Sequence, residues 1–224
     1  MVQHVYERCK ELLEHVYIAT DDDRIAEVVR SFEGEYILTN ANHPSGTDRV
    51  AEAARIVSQN IAFDVVINVQ GDEPFLSGAQ IEQLMHCFNN PQTDIATLVT
   101  PIHSTSILAD SNKVKAAVAN NGRALYFSRS PIPFIRDVNM EEWLEKQAHF
   151  LHLGLYAYRA KVLQEITLLQ PSPLENLEKL EQLRWLENGY ILQTAVTNHE
   201  NFGVDTPEDL KRLNELITNS TSIK

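Results

Sequence analysis

The sequence predicts an α/β protein built on a mixed sheet, and three observations predict it. Helix-like and strand-like periodicities alternate from Val2 to about Thr100, the pattern of a layered sheet covered by helices. The strand candidates in that stretch are short and apolar, and Asp64-Val-Val-Ile-Asn-Val69 is the most apolar, which places it near the sheet centre. After residue 110 the rhythm changes: segments 113–119 and 123–128 flank Asn120-Asn-Gly122, a hairpin signal that adds antiparallel strands.

Taken in order, Val2, Val5, Cys9, Leu12 and Leu13 recur at helical spacing and predict a first helix over 2–14. A short strand over 16–20 precedes Asp21 to Asp23, a capping cluster for a helix over 24–32. A strand over 36–39, a turn-rich stretch over 40–46 and a helix over 47–59 lead into the apolar strand over 64–69. A helix over 79–88 and a strand over 94–100 close the repeating section. Beyond the hairpin, a loop with Pro131 and Pro133 leads to a long strand over 149–158. Pro173 near its start and Gly189 just past its end bound one strong helix over 173–188. A last strand over 191–196, a closing helix over 207–216 and a polar tail over 218–224 complete the chain. We read 1–224 as a single domain in three portions, 1–110, 111–200 and 201–224, the last returning to the main sheet.

Composition bounds the function. Of 224 residues, 43% are hydrophobic and 22% charged, enough to bury a full core. A net charge of −12 argues against a general nucleic-acid binder, which needs a basic surface. A phosphate-handling enzyme remains compatible with that acidity, because a divalent cation supplies local positive charge. Cys9 and Cys87 are too few and too distant for a disulfide scaffold and read as reduced thiols of a cytoplasmic protein. No apolar run approaches the roughly 20 residues that span a bilayer, and no secretory leader opens the chain.

Five constellations carry chemistry. Asn68-Val-Gln-Gly-Asp-Glu-Pro74 follows the apolar strand, where α/β sheets bind ligands. Asp72 there is the first candidate for a magnesium ligand, the alternative being a plain turn. In His43-Pro-Ser-Gly-Thr-Asp-Arg49, Gly46 permits close backbone approach and Thr47 opens a helix whose amides accept polar groups; a capping role for Ser45 or Thr47 explains the same residues. In Gly203-Val-Asp-Thr-Pro-Glu-Asp209, Asp205 reads either as a helix cap or as a second metal ligand. Arg129, in Phe127-Ser-Arg-Ser-Pro-Ile-Pro133, suits a bidentate grip on a substrate carboxylate or a surface ion pair. His152, in His152-Leu-Gly-Leu-Tyr-Ala-Tyr158, suits a structural or a functional histidine. No Gly-x-Gly-x-x-Gly follows any strand, which argues against a dinucleotide-dependent oxidoreductase.

In sequence these pieces run Ser-Gly-Thr-Asp-Arg, Val-Gln-Gly-Asp-Glu-Pro, Leu-Tyr-Phe-Ser-Arg, His-Leu-Gly-Leu-Tyr, Glu181-Gln-Leu-Arg184 and Val-Asp-Thr-Pro-Glu-Asp. That series, over residues 1–216, resembles the 3-deoxy-manno-octulosonate (Kdo) cytidylyltransferases. The resemblance implies the nucleotide-diphosphosugar transferase sandwich, the reaction of CTP with Kdo to give CMP-Kdo and pyrophosphate for lipopolysaccharide, magnesium as cofactor and a homodimer. It further implies that Asp72 and Asp205 hold magnesium. His43, Ser45, Gly46, Thr47, Arg49 and Gln70 would lie against the cytidine, while Arg129, His152, Tyr156, Glu181 and Gln182 would line the Kdo pocket.

The chain departs from the family at its start. Members open with a strand ending in Pro-Ala-Arg and a Ser-x-Arg-x-Pro-x-Lys loop, whereas Met1-Val-Gln-His-Val-Tyr-Glu-Arg8 matches only the segment after them. The expected position of that strand is between 16–20 and 64–69, so two strand edges are expected to be unpaired. Loss of the loop's Arg and Lys predicts little or no transferase activity and poor solubility for these 224 residues. Other readings are a catalytically inactive binding subunit, and a cytidylyltransferase for a related acid such as 8-amino-Kdo.

Overall fold

A computed structural model describes residues 1–73, 76–146 and 148–199. The expected helix over 207–216, the tail over 218–224 and Asp205 lie outside the described residues.

The first half alternates as its periodicity requires: α1 (Val2–Lys10), β1 (Ile18–Thr20), α2 (Asp23–Ser31), β2 (Tyr36–Leu38), α3 (Gly46–Val57), β3 (Val65–Asn68), α4 (Gly78–Cys87) and β4 (Ile95–Pro101). Helix starts are fixed by side chains that satisfy otherwise orphaned amides. Asp22 accepts from the Arg24 amide at 2.8 Å, Ser45 caps α3, and Ser77 with Gln80 forms a reciprocal capping box on α4.

The second half holds the short helix α5 (Thr105–Ala109), the hairpin β5 (Lys115–Val118) and β6 (Ala124–Ser128), a 3-10 helix (Met140–Lys146), β7 (Phe150–Arg159), α6 (Ala160–Ile166), α7 (Pro173–Glu178), α8 (Glu181–Glu187) and β8 (Leu192–Val196). Gly122 turns the hairpin with φ +81°, and its carbonyl accepts from both the amide and the hydroxyl of Thr194.

Three expectations are corrected. The helix expected over 173–188 is two helices, because Lys179 adopts the left-handed conformation (φ 54°, ψ 49°) and stops α7. The turn lets Leu180 bury its side chain. α5, α6 and the 3-10 helix were not anticipated, being too short to show a period. Lastly, β3 is not the sheet centre: its described ladder is with β7 alone. The centre is β7, which pairs antiparallel with β3, β4 and β5, together with β4, whose residues Ile95–Val99 are all buried.

The six-stranded sheet runs β6-β5-β7-β4-β8, with β3 joined to β7. Among the described residues only β4 and β8 are parallel neighbours in it, so the sheet is mixed as expected. One edge of β7 is shared: Phe150 and Leu151 pair with β5, whereas Tyr156 to Arg159 pair with β3. Between these ladders the strand carries a bulge, since Thr97 faces Tyr156 but Leu98 faces Leu153. Bulges re-aim side chains at functional sites, and His152 and Tyr156 flank this one.

β1 and β2 form a separate parallel pair. Among the described residues no ladder joins β1 to β3. A cavity of about 600 Å³ lies between them, floored by aliphatic residues of α1 and α3. The main core packs α3, α6 and α8 on one face of the large sheet, and a second cluster packs α1 and α4 on the other.

Candidate active site

The site begins at the N-terminus of α3. Ser45 caps the helix, Thr47 is buried in its first turn, and the Thr47 hydroxyl donates to Glu181 Oε2 at 2.7 Å. Ser45 Oγ approaches the other oxygen, Oε1, at 3.3 Å. The two motifs are thereby brought into one cluster although 134 residues separate Thr47 from Glu181. Burial raises the Glu181 pKa, opposed by the Thr47 hydroxyl and by Arg184. Arg184 donates to Glu181 at 2.9 Å and pairs with Glu175 at 3.3 Å.

Gln70 leaves β3 beside this helix start. A Cβ placed on Gly46 would stand 3.8 Å from Gln70 Nε2, so the two approach across the mouth of the cavity between β1 and β3. Gly46, Arg49 and Gln70 line that cavity, but His43, Ser45 and Thr47 do not. Arg49 is held by Asp21 at 3.0 Å and donates to Thr39 Oγ1 at 2.6 Å. His43 is engaged with Glu52, which also accepts from the Asn40 amide. That engagement makes His43 a brace of the loop over 40–45 and leaves its ring less available to a nucleotide.

The second wall is aromatic. The His152 ring packs 4.9 Å from Phe127 and 5.3 Å from Tyr156, while Tyr156 and Tyr158 meet Trp185 edge-on at 5.3 and 5.7 Å. Desolvation pushes the half-buried His152 down to about 3, so its imidazole is neutral near pH 7. Thr97 Oγ1 lies 3.1 Å from His152 Nε2 and 2.9 Å from the Leu155 carbonyl. The hydroxyl proton goes to a carbonyl, so Nε2–H donates to Thr97 and Nδ1 is left as an acceptor. The Tyr156 hydroxyl is buried with no hydrogen-bond partner among the described residues. An unsatisfied buried hydroxyl is costly, and it invites a polar ligand. The Tyr158 hydroxyl sits beside Thr47 and Asn68 without hydrogen-bond geometry to either. Gln182 is buried at the start of α8.

Arg129 follows β6 and faces the α7–α8 junction. Its guanidinium donates to the carbonyls of Glu178, Ser111 and Lys179 at 2.7, 3.0 and 3.4 Å, and no carboxylate among the described residues pairs with it. Asp72 lies in the turn after β3, half-buried, without an ion pair among the described residues. Among those residues no three Asp, Glu, His or Cys side chains gather as a ready metal cage.

The geometry thus joins the 43–49 loop, Gln70, Glu181, Gln182, His152 and Tyr156, with the Arg129 guanidinium on the carbonyl of Lys179, two residues before Glu181. The sequence reading missed Thr97, Arg184 and Trp185. Thr97 had a signal, a hydroxyl inside the apolar run 95–99; Trp185 lies one helical turn beyond Glu181.

A family profile described as cytidylyltransferase matches residues 1–212. The chain belongs to the cytidylyltransferase family. It is 46% identical, over 98% of its length and 88% of the relative's, to a 3-deoxy-manno-octulosonate cytidylyltransferase of Bacteroides thetaiotaomicron. A relative of the same name from Phocaeicola vulgatus is 48% identical over 95% of this chain and 84% of that one. Among solved structures, a CMP:2-keto-3-deoxy-manno-octonic acid synthetase complexed with CTP superposes with TM-score 0.87 at 38% identity, covering 98% of this chain and 88% of that chain. A glucose-1-phosphate thymidylyltransferase from Bacillus anthracis, 15% identical with TM-score 0.63 over 96% of this chain and 81% of that one, shares the fold. This cytidylyltransferase is therefore a nucleotidyltransferase with the α/β fold expected for it.

Proposed function

We propose that this chain transfers CMP from CTP to Kdo, giving CMP-Kdo and pyrophosphate for lipopolysaccharide synthesis. The single observation that carries the reading is the junction of Thr47 and Ser45 with Glu181, which sets the helix start facing the nucleotide loop against the aromatic pocket. Two substrates held on the two sides of that junction meet at its edge.

In the reaction the anomeric hydroxyl of Kdo attacks the α-phosphorus of CTP, an O–P bond forms, and the bond to pyrophosphate breaks. Gln70, Gly46 and Arg49 would face the nucleotide from the cavity wall, with Ser45, Thr47 and the His43-braced loop behind them. Tyr156 would donate to a sugar hydroxyl and His152 Nδ1 would accept from one. Glu181 and Gln182 would fix the sugar's other hydroxyls, and Arg129 would take its carboxylate.

Magnesium fits the donor set as a hard cation seeking oxygen. Asp72 would hold it, with Asp205 as the expected second ligand; when bound it would neutralise phosphate charge and lower the pKa of the attacking hydroxyl. The reading includes a homodimer, supported by the exposed apolar side chains Leu125 and Phe134. It also includes the cytoplasm, where CTP is available; Cys9 and Cys87 are free buried thiols, and no described helix is long and apolar enough to cross a membrane.

The test is to incubate the purified chain with CTP, Kdo and magnesium chloride and follow pyrophosphate and CMP-Kdo by mass spectrometry. Equal turnover of 8-amino-Kdo would move the substrate assignment, and binding of Kdo without turnover would turn it toward a binding subunit.

A further inference from the structure

The least expected side chain in the fold is Lys115. It is fully buried at the start of β5, and its ammonium donates to three backbone carbonyls, those of Asp110, Lys113 and Arg129, the first two at 2.9 and 2.6 Å. A lysine has three donors, so all are used, and none goes to a carboxylate. Burying an ammonium is costly unless its donors are satisfied, and here they tie together the end of α5, the start of β5 and the end of β6.

The third carbonyl belongs to Arg129. From the opposite side, Glu178 accepts from the Arg129 amide at 2.9 Å and from Ser128 Oγ at 2.6 Å, which uses both carboxylate oxygens on the same two residues. The Arg129 backbone is therefore clamped between a buried cation and a carboxylate. Its guanidinium, fixed by three carbonyls, uses three of its five N–H groups and has no anion in contact among the described residues. Two N–H groups and the charge are left for a ligand, and a planar carboxylate matches them.

We propose that Lys115 is a positioning residue for the sugar acid: by holding the Arg129 carbonyl, with Glu178 holding the amide, it aims the Arg129 guanidinium at the substrate's carboxylate. The inference rests on the proposed function's placement of Arg129 in the sugar pocket. It goes further in assigning Lys115 and Glu178 a part in that recognition. A merely structural Lys115 would affect both substrates alike; a positioning one affects the carboxylate alone.

The experiment measures binding by calorimetry on the full chain for Kdo, for its 1-carboxamide and for CTP. In wild type, Kdo should bind more tightly than the carboxamide. Lys115→Met should weaken Kdo by about tenfold, the scale of one misaligned charge-assisted hydrogen bond. The carboxamide and CTP should stay within about twofold, and Lys115→Arg should restore part of the loss. Combining Lys115→Met with Arg129→Gln should weaken Kdo no more than Arg129→Gln alone, since acting through one group is non-additive. Equal weakening of Kdo, carboxamide and CTP, or full additivity with Arg129→Gln, overturns the proposal. If Arg129→Gln leaves Kdo binding unchanged, the placement of Arg129 in the sugar pocket has failed, and the proposal falls with it. Should Lys115→Met not fold, Lys115→Arg alone decides: a Kdo-selective change supports the proposal, and no change or an unselective one rejects it.

Discussion

Thr47 and Glu181 meet through a 2.7 Å hydrogen bond across 134 residues of chain, tying the first turn of α3 to the first turn of α8. The bond is half-buried, and it favours the charged form of a carboxylate whose pKa desolvation raises. Thr47→Val keeps the shape and removes the donor. It should cost about 0.5–1.5 kcal/mol in stability, the usual net contribution of one hydrogen bond, since Glu181 keeps Arg184 as a partner. A double-mutant cycle with Glu181→Gln, read by urea denaturation, should show coupling of about 0.5–3 kcal/mol. Additive effects would mean that the two side chains do not depend on one another.

The Tyr156 hydroxyl has no partner among the described residues, so removing it should not harm the fold. Tyr156→Phe should leave the melting temperature unchanged or slightly raised. If the hydroxyl meets the sugar, the same change should raise KM for Kdo about tenfold, with KM for CTP unaffected. A drop in stability with unchanged KM would place the hydroxyl in the core and remove it from the pocket.

Half-buried His152 is expected to make the protein acid-sensitive. Its pKa falls from 6.5 to about 3 on folding, because desolvation penalises the imidazolium. Between those values the unfolded chain binds a proton that the folded chain refuses, so stability rises with pH across that window and falls as pH drops below 6.5. One group contributes a slope of at most about 1.4 kcal/mol per pH unit. His152→Asn should flatten this slope between pH 4 and 6.5 relative to wild type. The same neutrality predicts no His152 inflection near pH 6.5 in the rate profile, and NMR titration of the ring through that range should show no shift.

Asp72 is half-buried after β3 and unpaired among the described residues, so its charge supports no local ion pair. Asp72→Asn should therefore fold with near-wild-type stability. If the carboxylate holds magnesium, turnover should fall at least about a hundredfold and the magnesium concentration for half-maximal rate should rise. Unchanged magnesium dependence would remove Asp72 from the metal site.

How much of this was legible depends on the length of the signal. β4 and α3 show in the sequence because five or more residues repeat one pattern, and the caps at Asp22 and Ser45 are local chemistry. The centre of the sheet was not legible. β3 is the more apolar run, but β7 is the strand that pairs with three others, and pairing is a property of the whole chain. The site residues were legible through resemblance, while their supports were not. Thr97 looks like one polar residue in a strand, and Lys115 looks like a surface lysine. Only packing shows that the one orients His152 and the other lies buried beneath Arg129.

The break between α7 and α8 shows the same dependence and yields the last prediction. An uninterrupted helix over 173–188 would spend the Glu178 carbonyl on an amide four residues on. Because Lys179 turns left-handed, the Glu178 and Lys179 carbonyls are free to accept from the Arg129 guanidinium. The left-handed conformation costs a non-glycine residue about 1–2 kcal/mol, part of which glycine gives back through its more flexible unfolded chain. The Lys179 side chain is exposed, so little else is lost by replacing it. Lys179→Gly should thus raise stability by about 0.5–1 kcal/mol and leave Kdo binding intact. Lys179→Pro cannot reach a positive φ and should both destabilise the chain and weaken Kdo, because the turn that presents the two carbonyls would be lost. Denaturation midpoints and Kdo titrations on the two variants check both halves, and a Lys179→Gly variant less stable than wild type would show that the turn is not strained.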